Sequence, residues 1–266
     1  MIHELPSGIS SRAIEQFVLA LADDELILGH RDSEWTGYAP ILEEDIAFSN
    51  IAQDEIGHSL VWFTLYQELT GEEPDAMVFR REWSKFTCCR FVEYPKGDFA
   101  YSVVRQYLFD IAEQVRLESL STGSFEPLAR LAERLLKEEA YHRLHSGSLL
   151  NRLGDATIES SRRMQAALDT AFPQALGMFE ATEHEYQLVS ARIVDDSETI
   201  RDRWLDAVVP AISSASLKIP VKTIDGKLKP LCVPETGGRR GLHTKYLEML
   251  VEDLQKVYSM APEAKW

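Results

Sequence analysis

Two short segments decide what this chain can fold into: AQDEIGHSLVWF at 52–63 and LLKEEAYHRLHSG at 135–147. In each, a glutamate and a histidine stand three positions apart within an apolar pattern of helical spacing, Glu55 with His58 and Glu139 with His142. Residues i and i+3 share one face of a helix. Whatever buries Phe48, Ile51, Ala52 and Trp62 therefore buries the first pair as well. Charged side chains are rarely taken out of water unless they are paired or bind a metal.

Apolar residues recur at three- and four-residue intervals over most of the length, and alternating strand-like runs are scarce, so an all-α protein is expected. The expected helices are 10–31, 40–70, 98–122, 125–152, 157–181, 198–217 and 241–259. Turn-forming residues separate them: WTGYAP at 35–40, TGEEP at 70–74, YPKGD at 94–98, STGSFEP at 121–127 and RLGDAT at 152–157. The stretch 219–240, IPVKTIDGKLKPLCVPETGGRR, breaks the pattern and predicts a turn or short hairpin before the last helix. A chain of 266 residues, 45% hydrophobic, can bury one large core. A single domain is expected, with a core bundle over about 10–152 and a helical extension over about 157–266.

The Glu-x-x-His segments belong to a longer repeat. Glu25 lies 30 residues before Glu55, and Asp110 lies 29 residues before Glu139. A four-helix bundle that holds two irons takes one carboxylate from each of two helices and a Glu-x-x-His pair from each of the other two. Carboxylates are hard anionic donors that bridge two cations and offset their charge, while neutral imidazole supplies one outer donor to each. Without metal, four such carboxylates repel one another in a poorly hydrated core, and burial raises their pKa values.

Counts alone do not decide, because 27 Glu and 7 His give about 0.7 such pairs by chance. Position adds more. The same-face neighbours of Glu25 are Val18, Leu21, Ala22 and Leu28; those of Asp110 are Val103, Tyr107 and Leu117; those of Glu139 are Leu128, Leu135 and Leu149. The competing arrangement sets some of these groups at the stripe edge or in buried ion pairs, with Arg105 or Arg143 as partners. Glu113, one turn after Asp110, rivals it. Glu138, Asp54, Glu44 and His145 read as surface residues or as outer partners of the ligands, and His3, His30 and His184 carry no signal.

A net charge of −15 and a pI near 4.9 repel phosphate backbones and anionic head groups, so neither nucleic acid nor membrane is an expected partner. The N-terminus lacks the basic start and long apolar run of a signal peptide, no segment approaches a membrane span, and a cytoplasmic protein is expected. Three cysteines, Cys88, Cys89 and Cys232, form no disulfide framework and read as ordinary buried thiols.

The segments DDELILGHRDSEWTGYAPILEEDIAFSNIAQDEIGHSL, GDFAYSVVRQYLFDIAEQV, LLKEEAYHRLHSG and TGGRRGLHTKYLEMLVEDLQKVYSMAPEAKW resemble the ferritin-like subunits of phenylacetyl-CoA epoxidase, the multicomponent monooxygenase of bacterial phenylacetate degradation. The resemblance covers nearly the whole chain. It implies a ferritin-like four-helix bundle with additional C-terminal helices. That system has two related helical chains, the A-type, which is catalytic, and the C-type, which is mainly structural. The compact length and the GGRRGLHTKYLEML tail ending in tryptophan are similar to the C-type chain. Structural chains of the family can lose iron ligands, whereas this one matches the catalytic pattern at Glu25, Glu55, His58, Asp110, Glu139 and His142.

The resemblance further implies a diiron centre fed with electrons by an NADPH-dependent flavin and iron–sulfur reductase, a partner chain of the A-type, and an acyl-CoA substrate for the complex. Glu25 and Asp110 would be lone carboxylates, Glu55 and Glu139 bridges, and His58 and His142 terminal donors. Three roles stay open: support of a catalytic partner, a working oxygenase centre in this chain, and iron storage, which the tail disfavours. Within the tail, Leu247, Leu250, Leu254 and Val257 form a stripe for the core or for a partner chain, with the core favoured. Arg239 and Arg240 are expected in a solvated loop, the alternative being contact with an acidic partner or a CoA phosphate.

Overall fold

The computed structural model describes residues 5–262 and 264, so His3 and Trp266 lie outside the described part. In chain order the helices are α1 (Ser11–Ser33), α2 (Leu42–Thr70), α3 (Pro74–Phe79), α4 (Arg90–Glu93), α5 (Phe99–Ser121), α6 (Glu126–Asp155), α7 (Ile158–Leu176), α8 (Glu185–Ser190), α9 (Ser197–Ser214) and α10 (Lys245–Met260). Short polar side chains start several of them by accepting an otherwise free amide, Ser10 from Ala13, Asp98 from Tyr101, Asp196 from Thr199 and Thr244 from Tyr246. Thr157 and Ser160 begin α7 with a reciprocal capping box.

Helices α1 and α2 form one antiparallel hairpin and α5 and α6 the other, and the two hairpins close into a four-helix bundle. Helices α7 and α9 pack on α5 from outside. The bundle interior is filled by apolar residues from all four helices, among them Val18, Leu28, Phe48, Trp62, Leu108 and Leu135, and is continuous with the buried Phe172 and Trp204 of the extension. This is an all-α, ferritin-like architecture with additional C-terminal helices. Among the described residues no helix is long and apolar enough to cross a membrane.

Each expected helix is present, with shifted ends. The one expected over 157–181 stops at Leu176 and tightens into a 3₁₀ turn, Gly177–Phe179, and the last begins at Lys245 rather than at 241. Helices α3, α4 and α8 were not expected; four to six residues are too few to display a helical period. The irregular stretch contains an antiparallel hairpin of β1 (Val221–Ile224) and β2 (Lys227–Pro230), turned at Asp225 and Gly226, which both have positive φ. Cys88 and Cys89 are buried free thiols and Cys232 is half-buried.

Two tail expectations need correction. Arg239 does not sit in a solvated loop: it is buried against α1, donating to Asp24 Oδ1 at 2.9 Å and Oδ2 at 2.5 Å and to the Ala20 and Thr87 carbonyls. The buried Asp24 carboxylate needs a cation, and the tail supplies it. Arg240 does reach solvent, paired with Glu180. The α10 stripe divides: Leu247 and Leu250 are buried in the core, while Val257 is exposed.

Candidate metal centre

All six residues singled out from the sequence are buried and converge between the four bundle helices: Glu25 from α1, Glu55 and His58 from α2, Asp110 from α5, and Glu139 and His142 from α6. Donor atoms of Glu25, Glu55 and His58 lie within 4.8 Å of one another, as do those of Glu55, Asp110 and His142. Glu139 joins the two groups. Its Oε1 is 3.4 Å from Nδ1 of His58 and 3.4 Å from Nδ1 of His142, which is also 3.5 Å from Glu55 Oε1.

The far sides of the imidazoles are held by the opposite helix. His58 Nε2 contacts Glu138 Oε2 at 2.9 Å, and His142 Nε2 contacts Asp54 Oδ2 at 3.2 Å. Asp54 and Glu138 each immediately precede the glutamate of a Glu-x-x-His pair, so each hairpin steadies the other's histidine. A carboxylate behind a ring nitrogen fixes the orientation of the ring and makes its inward nitrogen a better donor. His145 and Glu44 form a further pair at 3.1 Å, also across α2 and α6.

The arginines named in the ion-pair alternative do not reach these six, whose close charge pairs are those of His58 and His142 with Glu139 and Glu55. Arg105 pairs instead with Asp32 at 3.1 Å, and Arg143 is exposed. Glu113, the rival of Asp110, is buried but is claimed by Arg116 one turn along its own helix. Asp110 is the better placed, held by Gln106 Nε2 at 2.7 Å and Ser146 Oγ at 2.5 Å.

Sequence reasoning missed three contributors. Gln106 also donates to Glu55 Oε1 at 3.0 Å, so one neutral amide ties two anionic groups. Its signal was its place one helical turn before Asp110, and Ser146 stands likewise one turn after His142. Gly29 has no side chain where a Cβ would meet the Ala52 carbonyl, Glu55 Cβ and Ile56 Cγ1, each at 3.0 Å. It lets α1 approach α2 closely beside Glu55.

Electrostatics describe a cluster that requires positive charge. Burial lifts Glu25 well above the ordinary carboxylate range, with Glu55, Glu113 and Glu139 adding repulsion. Burial and Glu139 lift Asp110 in the same direction against the pull of His142 and Ser146. Burial would also lift Glu139, but the imidazoles of His142 and His58 beside it hold it at about 2. For the imidazoles burial opposes charge, yet the adjacent Glu139 and Glu55 raise His58 to about 9 and His142 to about 11. In the absence of metal, protons therefore carry the positive charge.

The donors also remain unsatisfied. Glu25 Oε2, Glu55 Oε2, both oxygens of Glu139, and Nδ1 of His58 and of His142 are buried without a hydrogen-bond partner. An unpaired buried polar atom costs about 1–3 kcal/mol. Six atoms of this kind aimed at one point, four oxygens and two imidazole nitrogens, fit the ligand preferences of a pair of divalent transition metals.

The sequence profile of a family described as phenylacetic acid catabolic protein matches residues 6–266. The C-type subunit of 1,2-phenylacetyl-CoA epoxidase from Escherichia coli (strain K12) is 32% identical over 251 residues, covering 94% of this chain and 98% of the relative. The A-type subunit of the same enzyme from that organism is 23% identical over 206 residues, covering 75% of this chain and 66% of the relative.

Proposed function

The chain belongs to the phenylacetic acid catabolic protein family, and on that premise we propose that it is the C-type subunit of a cytoplasmic ring 1,2-phenylacetyl-CoA epoxidase that keeps a dimetal centre of its own. Glu25, Glu55, His58, Asp110, Glu139 and His142 would hold the metals. The carrying observation is the convergence of six buried donor atoms that have no hydrogen-bond partner. When bound, a pair of irons supplies oxygen activation, with electrons delivered by the NADPH-dependent reductase of the complex.

The chain's own residues perform the remaining tasks. Asp54 and Glu138 orient the imidazoles and accept their outer protons, so that both Nδ1 atoms face inward. Gln106 and Ser146 hold Asp110, and Gln106 also holds Glu55, each by a neutral donor that leaves their negative charge available. Trp62, Phe48, Leu108 and Leu135 keep bulk water from the bundle interior. The centre then braces the bundle against which the catalytic A-type partner works on the acyl-CoA.

The complete donor set favours a second reading, that this chain is itself the oxygenase. Metal analysis of the purified chain is expected to find about two ions per chain by the ligand count. Turnover of phenylacetyl-CoA with reductase is expected only when the A-type partner is present. A Glu55→Ala variant is expected to lose metal while still activating that partner. Turnover by this chain alone establishes the second reading, and a metal-free wild type overturns both.

A further inference from the structure

A second cluster with metal-ligand chemistry lies apart from the six bundle ligands, where the C-terminal tail closes over α4. Cys88 precedes that helix, Glu93 ends it, and His243 comes from the loop before α10, 150 residues further along the chain than Glu93. Donor atoms of the three lie within 4.8 Å of one another. All three side chains are buried, with 0% exposure for Cys88, for Glu93 and for the His243 ring. The tail approaches this spot backbone to backbone: a Cβ on Gly238 would collide with the Cys88 carbonyl.

The outer hydrogen bonds that a bound metal needs are already made. His243 Nε2 donates to the Phe86 carbonyl at 2.7 Å, which sets Nδ1 toward Glu93 Oε1, also at 2.7 Å. Glu93 Oε2 accepts the Thr244 amide at 2.6 Å. A ligating histidine commonly gives its other N–H to a carbonyl, and a ligating carboxylate is itself hydrogen-bonded. Nδ1, Oε1 and the Cys88 sulfur are then the donors available to a cation.

Charge points the same way. Among the described residues the Glu93 carboxylate has no lysine or arginine partner, and Arg31 donates to its backbone carbonyl instead. Burial, with Glu93, Asp23 and Asp24 adding repulsion, pushes the Cys88 thiol well above its ordinary range, so without a cation it keeps its proton.

We propose that Cys88, Glu93 and His243 form a zinc site, separate from the dimetal centre, that fastens the C-terminal tail to α4. Thiolate, imidazole and carboxylate are all zinc ligands, and three protein donors leave the fourth tetrahedral position to water. The ion's two charges offset one thiolate and one carboxylate. Binding displaces the thiol proton and the proton held between Nδ1 and Oε1. Zinc bonds of about 2.0–2.3 Å set the donors roughly 3–4 Å apart, so Glu93 and His243 part slightly as the sulfur draws in.

The test reads sulfur, which the dimetal centre lacks. Cobalt(II) stands in for zinc, and a thiolate bound to it gives a near-ultraviolet charge-transfer band that carboxylate and imidazole ligands do not. Titrated into the metal-stripped full-length chain, cobalt is expected to produce this band, saturating at about one sulfur-bound ion per chain, and added zinc is expected to bleach it. Because the chain has three cysteines, the Cys89→Ser/Cys232→Ser variant keeps Cys88 as its single thiol, and it is expected to retain the band. Cys88→Ser is expected to lose it, and His243→Gln to bind the sulfur-bound ion at least about tenfold more weakly. Should Cys88→Ser fail to fold, the double variant decides alone. A wild-type chain without the band, a band lost from the double variant, a band that persists in Cys88→Ser, or unchanged binding in His243→Gln overturns the site. None of these results touches the dimetal centre, whose ions bind without sulfur.

Discussion

Gln106 is the uncharged hinge of the centre, its amide donating to Glu55 at 3.0 Å and to Asp110 at 2.7 Å. A Gln106→Leu variant keeps the volume and removes both hydrogen bonds. It is expected to fold and to bind metal about 10- to 100-fold more weakly, as losses behind a ligand commonly do, measured by competition with a chromophoric chelator. Protonation offers an independent check. With His58 raised to about 9 and His142 to about 11, both imidazoles carry protons at pH 7 in the metal-free chain. Metal requires them neutral, so loading must release protons, and affinity must fall as the pH is lowered. Calorimetry in buffers of different ionisation enthalpy is expected to report net proton release at pH 7; a buffer-independent heat would contradict the assignment.

Within helix α1 the consecutive carboxylates Asp23, Asp24 and Glu25 point in three directions, because each residue turns the helix by about 100°. Asp23 pairs with Arg81 and accepts from the Thr87 amide; Asp24 takes Arg239 and the Cys89 amide; Glu25 faces the centre. The C-terminal tail thus helps set the rotation of the helix that carries a candidate ligand. Removing one partner of a buried pair leaves an uncompensated charge, so Arg239→Ala is expected to cost about 3–5 kcal/mol, read from the shift in urea midpoint. A loss within a few tenths would place the pair in solvent. None of this was legible in GGRR, since a positive side chain in a glycine-rich stretch looks the same whether water or a distant aspartate receives it. The long helices were legible because their apolar period persists over many turns. So were the two Glu-x-x-His pairs, whose members share a face by local geometry alone.

Across the whole molecule, the centre joins two helical hairpins that otherwise meet through apolar packing. Metal that binds only the folded state stabilises it by mass action, so stripping the loaded chain with a chelator is expected to lower its thermal midpoint, and restoring metal should recover it. An unchanged midpoint would mean that the six groups bind no metal in the folded chain. The sequence by itself determined the helical class, the order of the long helices, the internal repeat and the shared facing of the two Glu-x-x-His pairs. Each of these follows from side-chain spacing along one helix, which the backbone enforces locally. Only the tertiary structure decided that Asp110 rather than Glu113 stands in the cluster, that Asp54 and Glu138 cross to the opposite histidine, that Gln106 ties two helices, and that Arg239 is buried. Those outcomes depend on how helices rotate and slide against one another, and that is settled by packing and by the pairing of buried charges among residues far apart in the chain.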